Sequence, residues 1–162
     1  NRTIPPLNYG LVRRMKKQFD DLHIVLNGGI PSPEEGYKHL GDVDGVMLGR
    51  AAYERPASLM VVDRLYFDDD RPVSSRSQVV EQVVQQAEKE GNDIWRYARH
   101  MLGLYSGLQG ARRWRRRISE EGRVAKPDFL LKIIDEEGLR SEADQVNEEA
   151  AAEGGTKQAV AS

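Results

Sequence analysis

The feature that most constrains the fold is a pair of short apolar segments with a helical segment between them. Residues 23–26 and 45–48 are rich in strand-forming side chains, which is typical of strands buried on both faces of a parallel sheet. Between them, Ser32 is the predicted N-cap of a helix with Pro33 at its first position, and Glu35 completes a capping box. Strand, helix and strand with short connections predict a βαβ unit.

Two strands do not make a stable sheet alone, because their faces and edges stay uncovered. We therefore expect an α/β fold: the C-terminal portion of a TIM (β/α)₈ barrel, followed by an all-α helical domain. Residues 1–67 are assigned to the last strands and helices of the barrel, and residues 75–137 to the helical domain. Residues 138–162 form an acidic tail without a periodic apolar face, which we expect to be disordered.

Composition excludes several kinds of site. The 162 residues contain no cysteine, which excludes disulfides, thiolate metal sites and a cysteine nucleophile within them. His23, His39 and His100 share no metal-ligand spacing, so we expect no metal site. No apolar run approaches the roughly 20 residues of a membrane span, and residues 1–10 lack a secretory apolar core. We expect no membrane association and a reading frame truncated upstream of Asn1.

A glycine-containing turn closes each predicted strand: Asn27-Gly28-Gly29 after the first and Gly49-Arg50 after the second. In (β/α)₈ barrels this edge carries the active site, and the last two loops often bind phosphate. Glycine lets backbone amides approach an anion, and arginine adds a bidentate contact. Either turn alone is explained by the ordinary occurrence of glycine in loops, but two turns in register favour a phosphate site. The pattern does not distinguish flavin oxidoreductases from other phosphate-binding barrels.

Arginines are concentrated between residues 96 and 117, a stretch with seven arginines, one histidine and no acidic residue. On a helix, Arg112, Arg115 and Arg116 share one face, and Arg113 and Arg117 share an adjacent one. Like charges this close repel each other, so an anionic partner is expected. Nucleic-acid phosphate is the usual candidate, and arginine binds it in a bidentate way that lysine does not match.

Two alternatives to RNA binding remain for this cluster. The arginines pair with the acidic stretch at residues 135–153, or they form a solvated face with Trp114 packed in the core. We expect Trp114 to be a core residue and not a base-stacking platform. RNA binding is the preferred interpretation of the arginines.

Several segments resemble the tRNA-dihydrouridine synthases. Residues 24–30 (IVLNGGI) and 43–53 (VDGVMLGRAAY) are similar to the end of the barrel in that family. The lead-in NRTIPPL at residues 1–7 and the blocks RHMLGLY at 99–105 and GARRWRR at 110–116 resemble its A-type branch. The resemblance covers residues 1 to about 120.

The resemblance implies an FMN-bound barrel, monomeric when full length, with a helical domain that grips tRNA. NADPH reduces the flavin, hydride passes to C6 of a flipped-out D-loop uridine, and a cysteine protonates C5, which yields 5,6-dihydrouridine. By the same resemblance, the FMN phosphate end is held by Asn27, Gly28, Gly29, Gly49 and Arg50. The implied tRNA contacts are Arg112 and Arg115, with Arg99 and Arg116 as further candidates.

The chain departs from the family in lacking the catalytic cysteine, so we expect no catalysis by these 162 residues alone. A non-catalytic RNA-binding module built from residues 77–137 is the alternative function. A flavin or phosphate barrel that acts on a small molecule is a third, which the arginine block disfavours. The expected location is the cytoplasm, or an organelle if a transit peptide lies upstream.

Overall fold

The computed structural model describes residues 6–140 and divides the chain into two compact units, residues 1–52 and 53–162. The assignments of residues 1–67 and 75–137 to a barrel and a helical domain stay predictions. Most of the acidic tail, residues 141–162, lies outside the described residues. Within residues 6–140, no helix combines the length and the apolar character needed to cross a bilayer.

The first unit contains the predicted βαβ arrangement. Helix α1 (Tyr9–Gln18) precedes strand β1 (Val25–Asn27), helix α2 (Pro33–Tyr37) follows, and strand β2 (Gly45–Met47) pairs with β1 in parallel. In the register, Val25 lies opposite Gly45 and Asn27 opposite Met47. The parallel pairing predicted from the two apolar segments is confirmed.

Local capping explains where the first helices begin. The Asn8 side chain accepts a hydrogen bond from the Leu11 N–H at 2.9 Å, and Ser32 Oγ accepts one from the Glu35 N–H at 3.3 Å. The Glu35 half of the expected capping box has not formed, because its carboxylate accepts a hydrogen bond from Lys38 Nζ at 2.6 Å. A complete capping box lies instead at Ser75 and Gln78, where the first helix of the segment 75–137 begins.

The core of the first unit is small. Leu26, Ile30 and Val43 form its buried apolar cluster, and residues such as Val12 and Val46 pack against them. Helix α1 carries Leu11, Met15 and Phe19 at helical spacing, and all three side chains are exposed. Within the described residues, this unit therefore leaves much of its apolar surface open to water.

The second unit is helical and has the larger core. After α3 (Arg50–Glu54), which spans the division, a 3₁₀ helix (Pro56–Val61) leads into α4 (Val62–Phe67). The remaining helices are α5 (Arg76–Glu90), α6 (Trp95–Ala98), α7 (Ala111–Glu121) and α8 (Phe129–Glu136). A short 3₁₀ turn, Gly122–Val124, extends the end of α7.

The buried side chains of this core come from α5, α6, α7, α8, the segment that joins α6 to α7, and the flanking residues Ile94 and Leu139. Trp114, Tyr105 and Ile133 are among the side chains with no measurable exposure. The helices predicted over residues 77–137 are thus packed around one continuous apolar centre. It fixes the orientation of α7, the helix that carries the arginine cluster.

Candidate functional site

Parallel pairing brings the two glycine turns to the same edge of the sheet. Gly28 and Gly29 directly follow β1, and Gly49 and Arg50 lie two and three residues after the end of β2. Because both strands run in the same direction, their carboxyl ends meet at one edge. The five residues predicted to hold a phosphate therefore lie at that edge, as the sequence spacing required.

Gly28 and Gly29 are required by the fold itself. Both have left-handed backbones, with φ of +123° and +64°. A Cβ atom on Gly28 would lie 2.9 Å from Leu7 Cδ2, and one on Gly29 would lie 2.5 Å from Leu7 Cδ1. In addition, the Tyr9 hydroxyl donates a hydrogen bond to the Gly28 carbonyl at 2.5 Å. Because Leu7 is exposed and its terminal carbons can move, the left-handed backbone is the main requirement for glycine at these two positions, and it needs no ligand.

Gly49 differs from them. Its φ is not in the left-handed region, and a Cβ atom there would meet nothing within 4 Å among the described residues. Arg50 beside it is exposed and makes no hydrogen bond or ion pair within residues 6–140. Neither packing nor backbone conformation requires glycine at position 49. The absence of a side chain there leaves open space next to the Arg50 guanidinium, which is unpaired among the described residues.

The arginines of α7 divide into two groups. Arg113 pairs with Glu137, and Arg117 pairs with Glu136 and, at 2.9 Å, with Glu121. The hydrogen bonds that Arg117 donates to Glu121 and to Glu136 raise the pKa of its guanidinium above the ordinary value. For these two arginines, the alternative that the cluster pairs with downstream carboxylates is confirmed.

The other group, Arg112, Arg115 and Arg116, is named here the cationic flank. All three are exposed, and Arg112 and Arg115 pair with no carboxylate among the described residues. Arg116 reaches Glu120 at only 3.9 Å, with both side chains about 65% exposed. The helix thus turns neutralised arginines toward α8 and leaves its other side positively charged.

Two further residues from the sequence analysis take clear positions. Trp114 is fully buried, its Nε1 donates to the Met101 carbonyl at 2.9 Å, and its ring meets Tyr105 edge to face. The prediction that it is a core residue is confirmed. Arg99 is exposed at the end of α6, on a different element from the cationic flank, and its Nε donates to His100 Nε2 at 3.0 Å.

Sequence reasoning missed Tyr9, whose hydroxyl binds the first glycine turn. The two residues are 19 positions apart, and no local pattern signals such a contact. No group of three or more His, Asp or Glu side chains within residues 6–140 is arranged to hold a metal ion.

A family model described as "Dihydrouridine synthase (Dus)" matches residues 1–140. The chain belongs to the dihydrouridine synthase family. It is 42% identical over 139 residues to the tRNA-dihydrouridine(20/20a) synthase of Vibrio cholerae serotype O1, a match that covers 84% of this chain and 42% of that protein. The proteins of the same name from Pseudomonas putida and Yersinia pestis are 44% and 38% identical over 139 residues, covering 84% of this chain and 41% and 40% of theirs.

The chain therefore spans about two fifths of the length of the curated relatives it matches. The match includes both glycine turns and the whole of α7, so the open Gly49–Arg50 turn and the cationic flank both lie within the shared region.

Proposed function

We propose that this chain is the C-terminal part of a flavin-dependent tRNA-dihydrouridine synthase, which reduces D-loop uridine in tRNA to 5,6-dihydrouridine with NADPH. The observation that carries the proposal is the cationic flank, because α7 pairs its other arginines with carboxylates but leaves these exposed. A relative whose match covers 84% of this chain carries the name tRNA-dihydrouridine(20/20a) synthase. In this proposal the βαβ unit is the end of a (β/α)₈ barrel and residues 75–137 form the tRNA-binding domain.

The cationic flank suits a phosphate backbone. Arg112, Arg115 and Arg116 follow one another at helical i, i+3 and i+4 spacing, so their guanidinium groups lie along one stripe. Each guanidinium offers a planar, bidentate donor set to phosphate oxygens. These contacts position the tRNA without reading its sequence. Arg99 is a further candidate from the end of α6.

The edge that carries the two turns fits the phosphate end of FMN. Gly49 leaves space for a close approach, and the Arg50 guanidinium is free within the described residues to pair with a phosphate. Asn27, Gly28 and Gly29 border the same edge from the neighbouring strand. When bound, FMN supplies the hydride that reduces the uracil ring. The residues of this chain would anchor its phosphate and take no part in the transfer.

Catalysis needs a residue that this chain does not contain. The acid that protonates C5 of uracil in this family is a cysteine, and none occurs among the 162 residues. The chain by itself is therefore expected to bind RNA but not to form dihydrouridine. The complete activity requires the part of the relatives that this chain does not span.

The direct test is tRNA affinity of the 162-residue chain as a function of KCl concentration. The Arg112→Ala, Arg115→Ala double variant should lose about tenfold or more in affinity, and its salt slope should fall by about two. Lys89→Ala, Lys132→Ala removes the same charge from α5 and α8 and should bind as the unmutated chain does. Equal affinity of the two double variants would show that the cationic flank is not the tRNA site.

A non-catalytic RNA-binding module is the second candidate, favoured by the larger core of the helical unit. FMN titration followed by flavin fluorescence separates the two functions. A flavin synthase fragment should bind FMN weakly, and Arg50→Ala should weaken that binding further. Affinity for tRNA together with no FMN binding by the unmutated chain would favour the module.

A further inference from the structure

A second arginine-bearing feature lies at the end of α7, outside the cationic flank. The Arg123 guanidinium carbon is 5.6 Å from the centroid of the Trp95 ring, which is a cation–π arrangement. Gly122 packs against the same ring: a Cβ atom there would lie 3.1 Å from Trp95 Cε3 and 3.3 Å from Cζ3. The indole is therefore held in place by Gly122, with a guanidinium over it.

This stack continues the cationic side of α7. At 100° per residue, Arg112, Arg115 and Ser119 lie on one side of the helix, and Arg113 and Arg117 lie on the side that pairs with Glu136 and Glu137. Counted at 120° per residue through the 3₁₀ turn after Glu121, Arg123 falls near the angular position of Arg116 on the helical wheel. The stack thus lies on the same side as the cationic flank, seven residues beyond Arg116.

Arg123 and Trp95 also keep unused binding capacity. Arg123 is exposed and pairs with no carboxylate among residues 6–140, and the Trp95 Nε1 donates no hydrogen bond to a described residue. Beside them, Val124 is 92% exposed. The other cation–π pair differs: Arg117 over Phe129 is already neutralised by Glu121 and Glu136.

We propose that the Trp95–Arg123 stack is a nucleobase-binding platform, on which an unpaired base of a bound RNA stacks while the cationic flank holds the neighbouring phosphates. Flat guanidinium and indole groups accept bases of any sequence, because every base has a π face. Beside the stack, the exposed Val124 side chain and the Trp95 Nε1–H, which has no partner among the described residues, suit contact with the edge of such a base. This inference rests on the proposed tRNA binding and adds a base contact to it.

The test uses tryptophan fluorescence of the 162-residue chain, titrated with unmodified tRNA or with inorganic polyphosphate. The chain has two tryptophans, and Trp114 is fully buried, so a bound base cannot stack on it. Quenching by a stacked base should therefore come from Trp95. We expect quenching by tRNA and none by polyphosphate, which supplies phosphates without bases. Trp95→Phe should abolish the quenching and keep tRNA affinity within about threefold, since phenylalanine still offers a ring.

The matched variants are Arg123→Lys and Arg140→Lys, which both keep the charge. Arg123→Lys loses the planar stack and should weaken tRNA binding about two- to fivefold, with unchanged polyphosphate affinity and an unchanged melting temperature. Arg140 pairs with Glu81 and Asp135 and stacks on no described ring, so Arg140→Lys should bind tRNA as the unmutated chain does.

The outcomes separate the inference from the function on which it rests. If tRNA binds through the cationic flank but quenches no more than polyphosphate does, the platform is wrong and the proposed function stands. Unchanged tRNA affinity of Arg123→Lys also overturns the platform. If the unmutated chain binds no tRNA, both proposals fall.

Discussion

Gly103 shows how tightly single residues are constrained in the helical unit. A Cβ atom at this position would lie 2.1 Å from the Glu54 carbonyl oxygen, 2.8 Å from its carbonyl carbon and 3.0 Å from Pro56 Cδ. The obstructing atoms are mainly backbone, which cannot rotate away as a side chain can. Glycine at this position is therefore a packing requirement of the segment between α6 and α7.

We predict that Gly103→Ala lowers the free energy of unfolding by about 2–3 kcal/mol, because the added methyl group overpacks a backbone contact. Urea denaturation followed by circular dichroism measures the change. Gly41→Ala is the matched control, since a Cβ atom there meets nothing within 4 Å and φ is not left-handed. A Gly103→Ala midpoint equal to that of Gly41→Ala would contradict the packing argument.

Residue-level predictions from the sequence hold where the cause is local. Ser32 caps its helix as predicted, because a short polar side chain reaches an amide three residues ahead. The contact of Tyr9 with Gly28 and the exclusion of a side chain at Gly103 depend on residues 19 and 49 positions away. No spacing rule contains that information, so only the folded chain reveals it.

At the scale of elements, α7 has two roles on its two sides. One side is attached to α8 by Arg113 and Arg117, and Arg117 also lies over the Phe129 ring at 5.8 Å. The other side carries the cationic flank. The sequence predicted both faces from helical periodicity, but it left open which arginines meet carboxylates, because that depends on where α8 packs.

We predict that Arg117→Ala lowers the free energy of unfolding by about 1–2 kcal/mol, because a half-buried cation loses two carboxylates and a ring. Arg115→Ala, on the same helix without a described carboxylate partner, should leave stability within about 0.5 kcal/mol. Thermal and urea unfolding of both variants measure the difference. A larger loss for Arg115→Ala would reverse the assignment of the two sides.

Acid should weaken the attachment of Arg117 to Glu121. The hydrogen bond from Arg117 lowers the pKa of Glu121 below its ordinary 4.5. A lowered folded-state pKa stabilises the fold above pH 4.5 and loses that contribution as the pH falls through the lower value. Because Glu121 is about half exposed, the effect should stay below about 1 kcal/mol. The free energy of unfolding, measured from about pH 6 to pH 3.5, should therefore decrease less steeply for Arg117→Ala than for the unmutated chain.

Helices and strands were predicted best where the spacing of apolar residues and the residue composition indicate the same kind of element. The two apolar runs form the paired strands, and Val80, Val84 and Ala87, at helical spacing, form the buried side of α5. The stripe of α1 has the same helical period, yet Leu11, Met15 and Phe19 are exposed. Periodicity identifies the apolar side of a helix but not the surface that covers it, which in this chain is absent from the described residues.

At the scale of the whole molecule, the two units differ in how much apolar surface they bury. The helical unit closes a large core, whereas the βαβ unit buries few side chains and exposes Val25 and Met47 from its strands. The chain spans about two fifths of its relatives. We infer that in a longer protein further strands and helices cover these surfaces, in agreement with the proposed barrel.

We predict that amide hydrogens of α1, β1 and β2 exchange with solvent much faster than those of α5, α7 and α8 in the 162-residue chain. Protection against exchange follows the free energy of local opening, which depends on buried apolar contacts. Ile133→Ala should accelerate exchange across the helical unit, since truncating a fully buried side chain costs about 2–5 kcal/mol. Leu26→Ala, an equally buried site in the small core, should leave α5, α7 and α8 unchanged. Strong protection of β1 and β2 would show that the βαβ unit is stable without further strands, and would count against its being the end of an incomplete barrel.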